Sequence, residues 1–168
     1  MPNIGDVVNV AGIEWIVLDK NESAVLCLTK GFINEPAIFD YFSNNYAESE
    51  IRDKLNNSFL QQITDAVGED ALFNVEIDLM TEDGLRDYGC VVDKVGLLTC
   101  NMYRRYNYVI ERFERNRWWL ATAHSTPHRD DYTYVYYVGR DNSIYRNDCE
   151  TLRAVRPFCM FKATIFES

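Results

Sequence analysis

Alternation of apolar and polar residues restricts the fold more than any other feature of this sequence. From residue 8 to residue 17, apolar side chains alternate with polar ones on both sides of Ala11-Gly12, and the apolar segment 24–28 follows Lys20-Asn21-Glu22. Period-two segments separated by turn residues are typical of antiparallel strands joined by hairpins. We therefore predict turns at these two places, with Trp15 as an anchor of the core.

Helical spacing follows in the middle of the chain. Four apolar residues lie four positions apart and predict one face of a helix, with either Asn45 or Ser49 as its N-cap: Ile51, Leu55, Phe59 and Ile63. The apolar segment Val95–Cys100 predicts a buried strand. A second helix is predicted directly after it, with Asn101 as the N-cap.

The remaining segments complete a mixed pattern. We interpret residues 64–93 as connecting structure that contains a short helix near residues 81–87. Four strand-like pieces follow at 118–121, 132–138, 143–146 and 155–165, and residues 139–142 separate two of them as a hairpin turn does. Together these elements predict a single α+β domain over residues 1–168, with antiparallel strands and two main helices.

The composition favours a soluble protein of a reducing compartment. A chain of 168 residues is long enough for one domain with its own core. No apolar run reaches the roughly twenty residues that cross a bilayer, so we expect no membrane contact. The five cysteines are odd in number and include no CxxC pair. We therefore expect free, buried thiols, a cytoplasmic location, and no zinc or other cofactor.

Charge is distributed unevenly along the chain. Residues 1–103 hold 6 Lys/Arg and 18 Asp/Glu, whereas residues 104–168 hold 11 and 8. The net charge of the first part is therefore −12 and that of the second is +3. An acidic surface repels phosphates, so we expect no direct binding of nucleic acid. The same charge suits either ordinary solubility or contact with a basic protein.

Four short motifs occur in order along the chain: Tyr46 to Arg52, Leu97 to Thr99, Trp118 to Leu120, and Val155 to Pro157. Their order and composition resemble an uncharacterised domain family of bacteria and their phages. That family is marked by Tyr-x-x-Ser-x-Ile-Arg, Leu-Leu-Ser, Trp-Trp-Leu-Arg-Ser and Gly-Val-Arg-Pro. The similarity covers nearly the whole chain. The chain departs from the family pattern at Ala121-Thr122 and at Ala154.

The closing motifs of this family resemble in turn the C-type-lectin-like fold of formylglycine-generating enzymes and of retroelement-diversified variable proteins. The resemblance implies that Trp118–Leu120 and Val155–Pro157 are framework strands. It also implies a displayed surface made of Thr122–Asp131 and Arg140–Asp148. It does not imply catalysis, because Cys149 and Cys159 do not match the cysteine pair used in formylglycine generation.

Histidines and acids of the loop after residue 122 form a cluster with the residue types of a metal site: His124, His128, Asp130 and Asp131. Pro127 interrupts any helix through this segment, so the spacing does not place the two histidines on a shared face. We interpret the segment as a surface loop rather than a zinc or calcium site. Walker, GxSxG and HExxH motifs are absent. We therefore predict no catalytic residues and no enzymatic activity.

Aromatic and polar residues crowd the segment between the two framework motifs, which holds five of the eleven tyrosines. Tyrosine rings provide large contact areas at a small entropic cost. We therefore predict a recognition domain for a protein or a carbohydrate, with these partner-binding residues: His128, Arg129, Asp131, Tyr132, Tyr134, Tyr136, Arg140, Asn142 and Tyr145. The alternative is an acidic phage-encoded inhibitor that blocks a nucleic-acid-binding host protein. Arg156 is predicted to form hydrogen bonds inside the fold.

Overall fold

The computed structural model describes residues 1–113 and 115–167, and it confirms the predicted α+β class. The described residues form ten strands: β1 Val7–Val10, β2 Ile13–Lys20, β3 Ala24–Thr29, β4 Val75–Asp78, β5 Cys90–Asp93, β6 Val95–Gly96, β7 Trp118–Ala123, β8 Tyr134–Val138, β9 Ile144–Asp148 and β10 Phe158–Lys162. The helical segments are α1 Glu50–Lys54, a π turn at Leu55–Phe59, α2 Leu60–Val67 and α3 Cys100–Ile110.

All strand pairs within the three sheets are antiparallel, as predicted. One sheet has five strands in the order β1-β2-β3-β10-β6, the second consists of β4 and β5, and the third has the order β7-β8-β9. Strand β10 lies between β3 and β6, so the last strand in sequence is an interior strand of the largest sheet. The sheet β7-β8-β9 and its two connecting loops carry all nine predicted binding residues. The C-type-lectin-like topology stays a prediction.

The two predicted hairpin turns near the start of the chain are confirmed. Ala11 and Gly12 both have positive φ angles, +57° and +74°, which is the backbone of the two-residue turn that suits the twist of a hairpin. At the second turn the side chain of Asn21 accepts hydrogen bonds from the backbone N–H groups of Ser23 and Ala24. Trp15 is fully buried, and its indole N–H donates to the carbonyl of Val10.

The predicted helix of the middle region spans residues 50–67, and Ser49 caps it by accepting a hydrogen bond from the N–H of Arg52. Asn45 instead caps a short 3-10 turn, Tyr46–Glu48. Side chains four apart drift by about 40° per step around a helix of 3.6 residues per turn. The wider π turn at Leu55–Phe59 counteracts this drift, and the four apolar residues of the predicted face are all buried.

The second predicted helix, α3, begins two residues earlier than expected and has a different cap. Thr99, and not Asn101, is the N-cap, because its hydroxyl accepts from the N–H of Met102 at 3.1 Å. The predicted strand before it is correspondingly shorter and ends at Gly96. Asn101 lies inside the first turn, where it is exposed and contacts Arg104.

Replacement of Thr99 by alanine is expected to lower the free energy of unfolding by about 1 kcal/mol, because the N–H of Met102 loses its acceptor. The matched control is Asn101→Ala, for which we expect a change within about 0.5 kcal/mol. Urea denaturation of the two variants measures both values. Equal losses in the two variants would contradict the assignment of the cap.

Residues 64–93 contain a hairpin that the sequence interpretation missed. Strands β4 and β5 pair from Val75–Asp93 to Asp78–Cys90. The short helix predicted near residues 81–87 is wrong. Thr81 forms a turn there instead, because its backbone N–H donates to the carbonyl of Leu85 while its hydroxyl accepts from the N–H of Leu85. A threonine hydroxyl that bonds to nearby backbone competes with helix formation.

The C-terminal strands occupy the predicted segments with shifted ends. Strand β8 begins at Tyr134 rather than at residue 132, and β10 begins at Phe158 rather than at residue 155. Pro157 has no N–H to donate to a neighbouring strand, which explains the later start of β10. Strands β7 and β9 run two residues further than predicted, to Ala123 and Asp148.

Trp118 and Arg156 are packed together in the core. The guanidinium of Arg156 is buried and lies 4.9 Å from the centre of the Trp118 ring. It donates hydrogen bonds to the carbonyls of Thr29 and Lys30 at 3.0 and 3.1 Å. Burial lowers the pKa of Arg156 to about 10. The predicted structural role of Arg156 is therefore confirmed.

Four of the five cysteines are buried and free, as predicted. The fifth, Cys90, is exposed at the start of β5, so its prediction as a buried residue is wrong. The residues of β5 are alternately exposed and buried, and Cys90 lies on the exposed face. Burial raises the pKa of the Cys27 and Cys100 thiols to about 12, and it also raises the pKa of the Cys159 thiol.

Candidate functional site

The sheet β7-β8-β9 presents tyrosines on both of its faces. In antiparallel pairs, residues directly opposite each other share a face. Tyr136 lies opposite Arg146, and Tyr137 lies opposite Trp119 on one side and Tyr145 on the other. One face therefore carries Tyr134 and Tyr136, and the other carries Tyr137 and Tyr145. This alternation along β8 was predicted from the sequence.

Tyr132, in the loop before β8, stacks on Tyr134, the first residue of β8. Their rings are parallel to within 3°, and the ring centres are 5.1 Å apart. Tyr132 is 64% exposed, whereas Tyr134 is half-buried. The backbone N–H of Tyr132 donates to the carboxylate of Asp130 at 3.1 Å. Tyr132 is thus held both by its backbone N–H and by one face of its ring.

A chain of polar contacts supports the stacked pair. The guanidinium of Arg146 lies 5.2 Å from the centre of the Tyr134 ring and donates to Nε2 of His124 at 2.6 Å. Arginine has no acceptor, so Nε2 must be the unprotonated nitrogen. Nδ1 of His124 then donates to the hydroxyl of Tyr136 at 3.0 Å. This arrangement assigns the tautomer of His124 and aligns four side chains.

The network also affects the hydroxyl of Tyr136. Partial burial raises the pKa of this phenol, and the charge of Glu82 acts in the same direction, whereas Arg146 opposes them. The phenol therefore stays protonated over the physiological range. It can then donate a further hydrogen bond to an acceptor while it accepts one from His124.

The predicted residues of the hairpin turn lie apart from the stacked pair. Asn142 adopts a positive φ of +64°, and its carbonyl accepts from the hydroxyl of Tyr103 at 2.6 Å. Tyr145 donates from its hydroxyl to the carboxylate of Asp141. Arg140 is exposed within the turn. The geometry gives Asn142 a role in the turn itself.

The predicted residues of the preceding loop are exposed: His128, Arg129 and Asp131. Arg129 donates to the carboxylate of Asp83 at 3.0 Å and to its backbone carbonyl at 3.1 Å. Burial opposes ionisation of Asp83, but the hydrogen bond from Thr81 and the charge and hydrogen bond of Arg129 hold its pKa below the usual range. These contacts attach the loop to the turn at residues 81–84.

Asn44 connects the stacked pair to a segment that the sequence interpretation did not include. Its side-chain amide donates to the carbonyls of Ser125 and Tyr134 at 2.9 and 3.2 Å. Its side-chain oxygen accepts from the hydroxyl of Tyr88 at 2.6 Å. Asn44 is buried, and its partners lie 44 to 90 positions away in sequence. No local pattern signals such contacts.

The segment before Asn44 adds two exposed rings near the same end of the sheet. Tyr41 is 61% exposed and Phe42 is 89% exposed. The N–H groups of Phe39 and Asp40 donate to the carbonyl of Cys149, whose own N–H donates to the carbonyl of Thr133. We call the surface made by these neighbouring segments the aromatic end; its rings are Tyr41, Phe42, Tyr88, Tyr132 and Tyr134.

An apolar groove of about 360 Å³ lies between the segment 33–37 and the helical residues 51–59. The polar residues of its lining are Asn34, Glu35, Lys54 and Ser58. Within residues 1–113 and 115–167, no three His, Cys, Asp or Glu side chains are close enough to hold a metal ion.

No family model, curated protein or solved structure matches this chain in the three comparisons with known proteins. Among the residues that the structure describes, no helix is both long enough and apolar enough to cross a membrane. The geometry of the site therefore carries the functional argument.

Proposed function

We propose that this protein is a non-enzymatic recognition domain that binds a protein partner through the aromatic end. The observation that carries the proposal is the parallel stack of Tyr132 on Tyr134, with Tyr132 largely exposed. Tyrosine and arginine are enriched among the residues that contribute most to binding at protein interfaces. This surface combines both residue types.

The support for the stacked rings makes them suited to binding. A side chain that is mobile before binding loses rotamer entropy when a partner orders it. Tyr132 is already ordered by Tyr134 and by Asp130, and Tyr134 is ordered by Arg146. A partner therefore meets a surface whose ordering cost is small. A carbohydrate that stacks on Tyr132 is the other class of ligand expected from the sequence.

The thiols support a role without covalent catalysis. The thiolate is the nucleophilic form of cysteine, and a raised pKa keeps the thiol protonated at neutral pH. Burial raises the pKa values of Cys27, Cys100, Cys149 and Cys159. The proposed setting is the reducing cytoplasm of a bacterium, where the protein is either bacterial or encoded by a phage.

The proposal is tested with the double variant Tyr132→Ala/Tyr134→Ala. The unmodified protein and the double variant are each immobilised and used to capture partners from a bacterial lysate. The captured proteins are quantified by mass spectrometry. We expect the double variant to lose its specific partner by about tenfold or more, because two ordered rings leave the interface. A glycan array, read in parallel, detects a carbohydrate ligand instead.

The matched control is Tyr108→Ala on α3. Tyr108 is 53% exposed and belongs to none of the segments of the aromatic end. This variant is expected to retain the partner at the level of the unmodified protein. Equal capture by all three proteins would overturn the proposal, provided that their melting temperatures agree.

A second candidate function is inhibition of a nucleic-acid-binding host protein by charge mimicry. The net charge of −12 over residues 1–103 favours it, because a basic groove that holds phosphates attracts carboxylates as well. Such an inhibitor competes with nucleic acid for the captured partner. A partner that binds this protein and DNA or RNA at the same time would exclude this second candidate.

A further inference from the structure

Three carboxylates lie on segments that hydrogen bonds join at the aromatic end. Asp87 and Asp130 both contact Thr126, the first through its hydroxyl and the second through its carbonyl. Glu48 accepts from Ser43, which precedes the Asn44 that binds the hydroxyl of Tyr88. Burial raises the pKa of Tyr88 to about 12, and the negative charges of Glu48, Asp87 and Asp130 act in the same direction.

Hydrogen bonds hold each carboxylate at the edge of the surface. Glu48 accepts from the hydroxyl of Ser43 at 2.8 Å, and Asp87 accepts from the hydroxyl of Thr126 at 2.6 Å. Asp130 is anchored by its N–H, which donates to the carbonyl of Thr126, and it accepts from Tyr132. None of these donors is positively charged, so the carboxylates are ordered without being neutralised.

Two arginines near this surface have partners within the protein. Arg129 forms an ion pair with Asp83, and Arg146 binds His124 while it covers the ring of Tyr134. In the described part of the chain, no lysine or arginine lies over the ring of Tyr132. Tyr134 therefore has a cation over its ring, whereas Tyr132 has none among the described residues.

Aromatic rings attract cations through their negative faces, and nearby carboxylates strengthen the attraction. We propose that the partner of the aromatic end is a positively charged peptide segment, with an arginine or lysine over Tyr132 and with Glu48, Asp87 and Asp130 balancing its charge. This inference rests on the proposed function. It specifies the partner as a basic segment of a protein.

The test uses two fluorescein-labelled peptides of twelve residues, one alternating glycine with arginine and one alternating glycine with glutamate. Binding to the whole protein is measured by fluorescence anisotropy at low and at high ionic strength. The variant E48Q/D87N/D130N keeps a side-chain oxygen acceptor at every position but removes three charges. We expect it to bind the arginine peptide about tenfold more weakly than the unmodified protein.

The matched control, E22Q/E69Q/D70N, removes the same number of charges from exposed positions in other segments. It is expected to change the affinity for the arginine peptide by less than about twofold at moderate salt. Tyr132→Ala is expected to weaken binding of the arginine peptide as strongly as E48Q/D87N/D130N does. Equal effects of the two triple variants would overturn the inference, because net charge alone then explains the binding.

The outcomes also separate this inference from the proposed function. A lysate partner that depends on Tyr132 and Tyr134 but is insensitive to salt and to E48Q/D87N/D130N would overturn the inference and leave the proposed function intact. Preference for the glutamate peptide would likewise overturn the inference. Loss of dependence on Tyr132 and Tyr134 in both assays would overturn the two together. Matching melting temperatures show that each variant is folded.

Discussion

Replacement of Trp118 by alanine is expected to lower the free energy of unfolding by about 3–5 kcal/mol. The indole is 1% exposed and packs edge-on against Tyr103, with ring centres 5.6 Å apart. Its removal leaves a cavity in the core where β7 meets α3. The same ring also covers the guanidinium of Arg156, which has no carboxylate within ion-pair distance among the described residues.

Loss of the Trp118 ring therefore acts twice, since it removes apolar contacts and uncovers a buried cation. Guanidinium denaturation of Trp118→Ala measures the total loss, and the exposed Tyr108→Ala serves as the control, with a change within about 0.5 kcal/mol. Trp118→Phe keeps an aromatic face over Arg156 and is expected to lose less than the alanine variant. A loss below about 1 kcal/mol for Trp118→Ala would contradict the assigned role.

Replacement of Arg52 by alanine is expected to destabilise the fold by about 3 kcal/mol. Its guanidinium binds Asp93 with two hydrogen bonds, of 2.8 and 2.9 Å, and donates a third to the carbonyl of Ala47 at 2.7 Å. The carboxylate of Asp93 is only 7% exposed. Without Arg52 it becomes a buried charge that has lost its cation, and this penalty exceeds the lost attraction of the pair.

The matched control is Arg104→Ala, which removes an ion pair with Glu82 that is more exposed on both sides. Surface pairs of this kind contribute about 0–1 kcal/mol. The double variant Arg52→Ala/Asp93→Asn is expected to recover part of the stability, because it removes the unpaired charge. Thermal and urea denaturation provide the free energies. No difference between the Arg52 and Arg104 variants would refute this account.

Local sequence patterns predicted the elements that are determined by residues close together in the chain. The turn at Ala11-Gly12 needs two positive φ angles, and glycine in that position signals it. The helical face with Ile51 and Phe59 was visible from its spacing, although the spacing of four was the signal of a π turn that went unnoticed. The cap of α3 was misplaced because both Thr99 and Asn101 are suitable N-cap residues, and propensity does not choose between them.

Short strands with little patterning were harder to predict. Strands β4 and β5 each have four residues, and one side of each is exposed. Their apolar residues are too few to stand out from the acids and glycines around them. The hairpin forms because Ile77 and Val91 are buried in the core, which depends on residues elsewhere in the chain. Tertiary packing overrides weak local preference in such segments.

The candidate site shows the same division between local and distant information. The sequence located the tyrosines of β8 and their alternation, since side chains of a strand point to opposite faces by geometry alone. It did not indicate that Tyr132 stacks on Tyr134, nor that Tyr145 lies on the other face beside Tyr137. The predicted surface of nine residues is divided by the structure into a stacked pair with its network, a loop and a turn.

The amino-acid sequence by itself determined the α+β class, the two hairpin turns near the start of the chain, both main helices and the aromatic character of the segment after Trp118. These properties follow from periodicity and turn chemistry, which act over a few residues. Only the tertiary structure decided that Asn44 joins Tyr88 to Tyr134, and that Asp87 and Asp130 both contact Thr126. Such contacts arise when the whole core forms, because packing of distant segments sets their separation and no local preference encodes it.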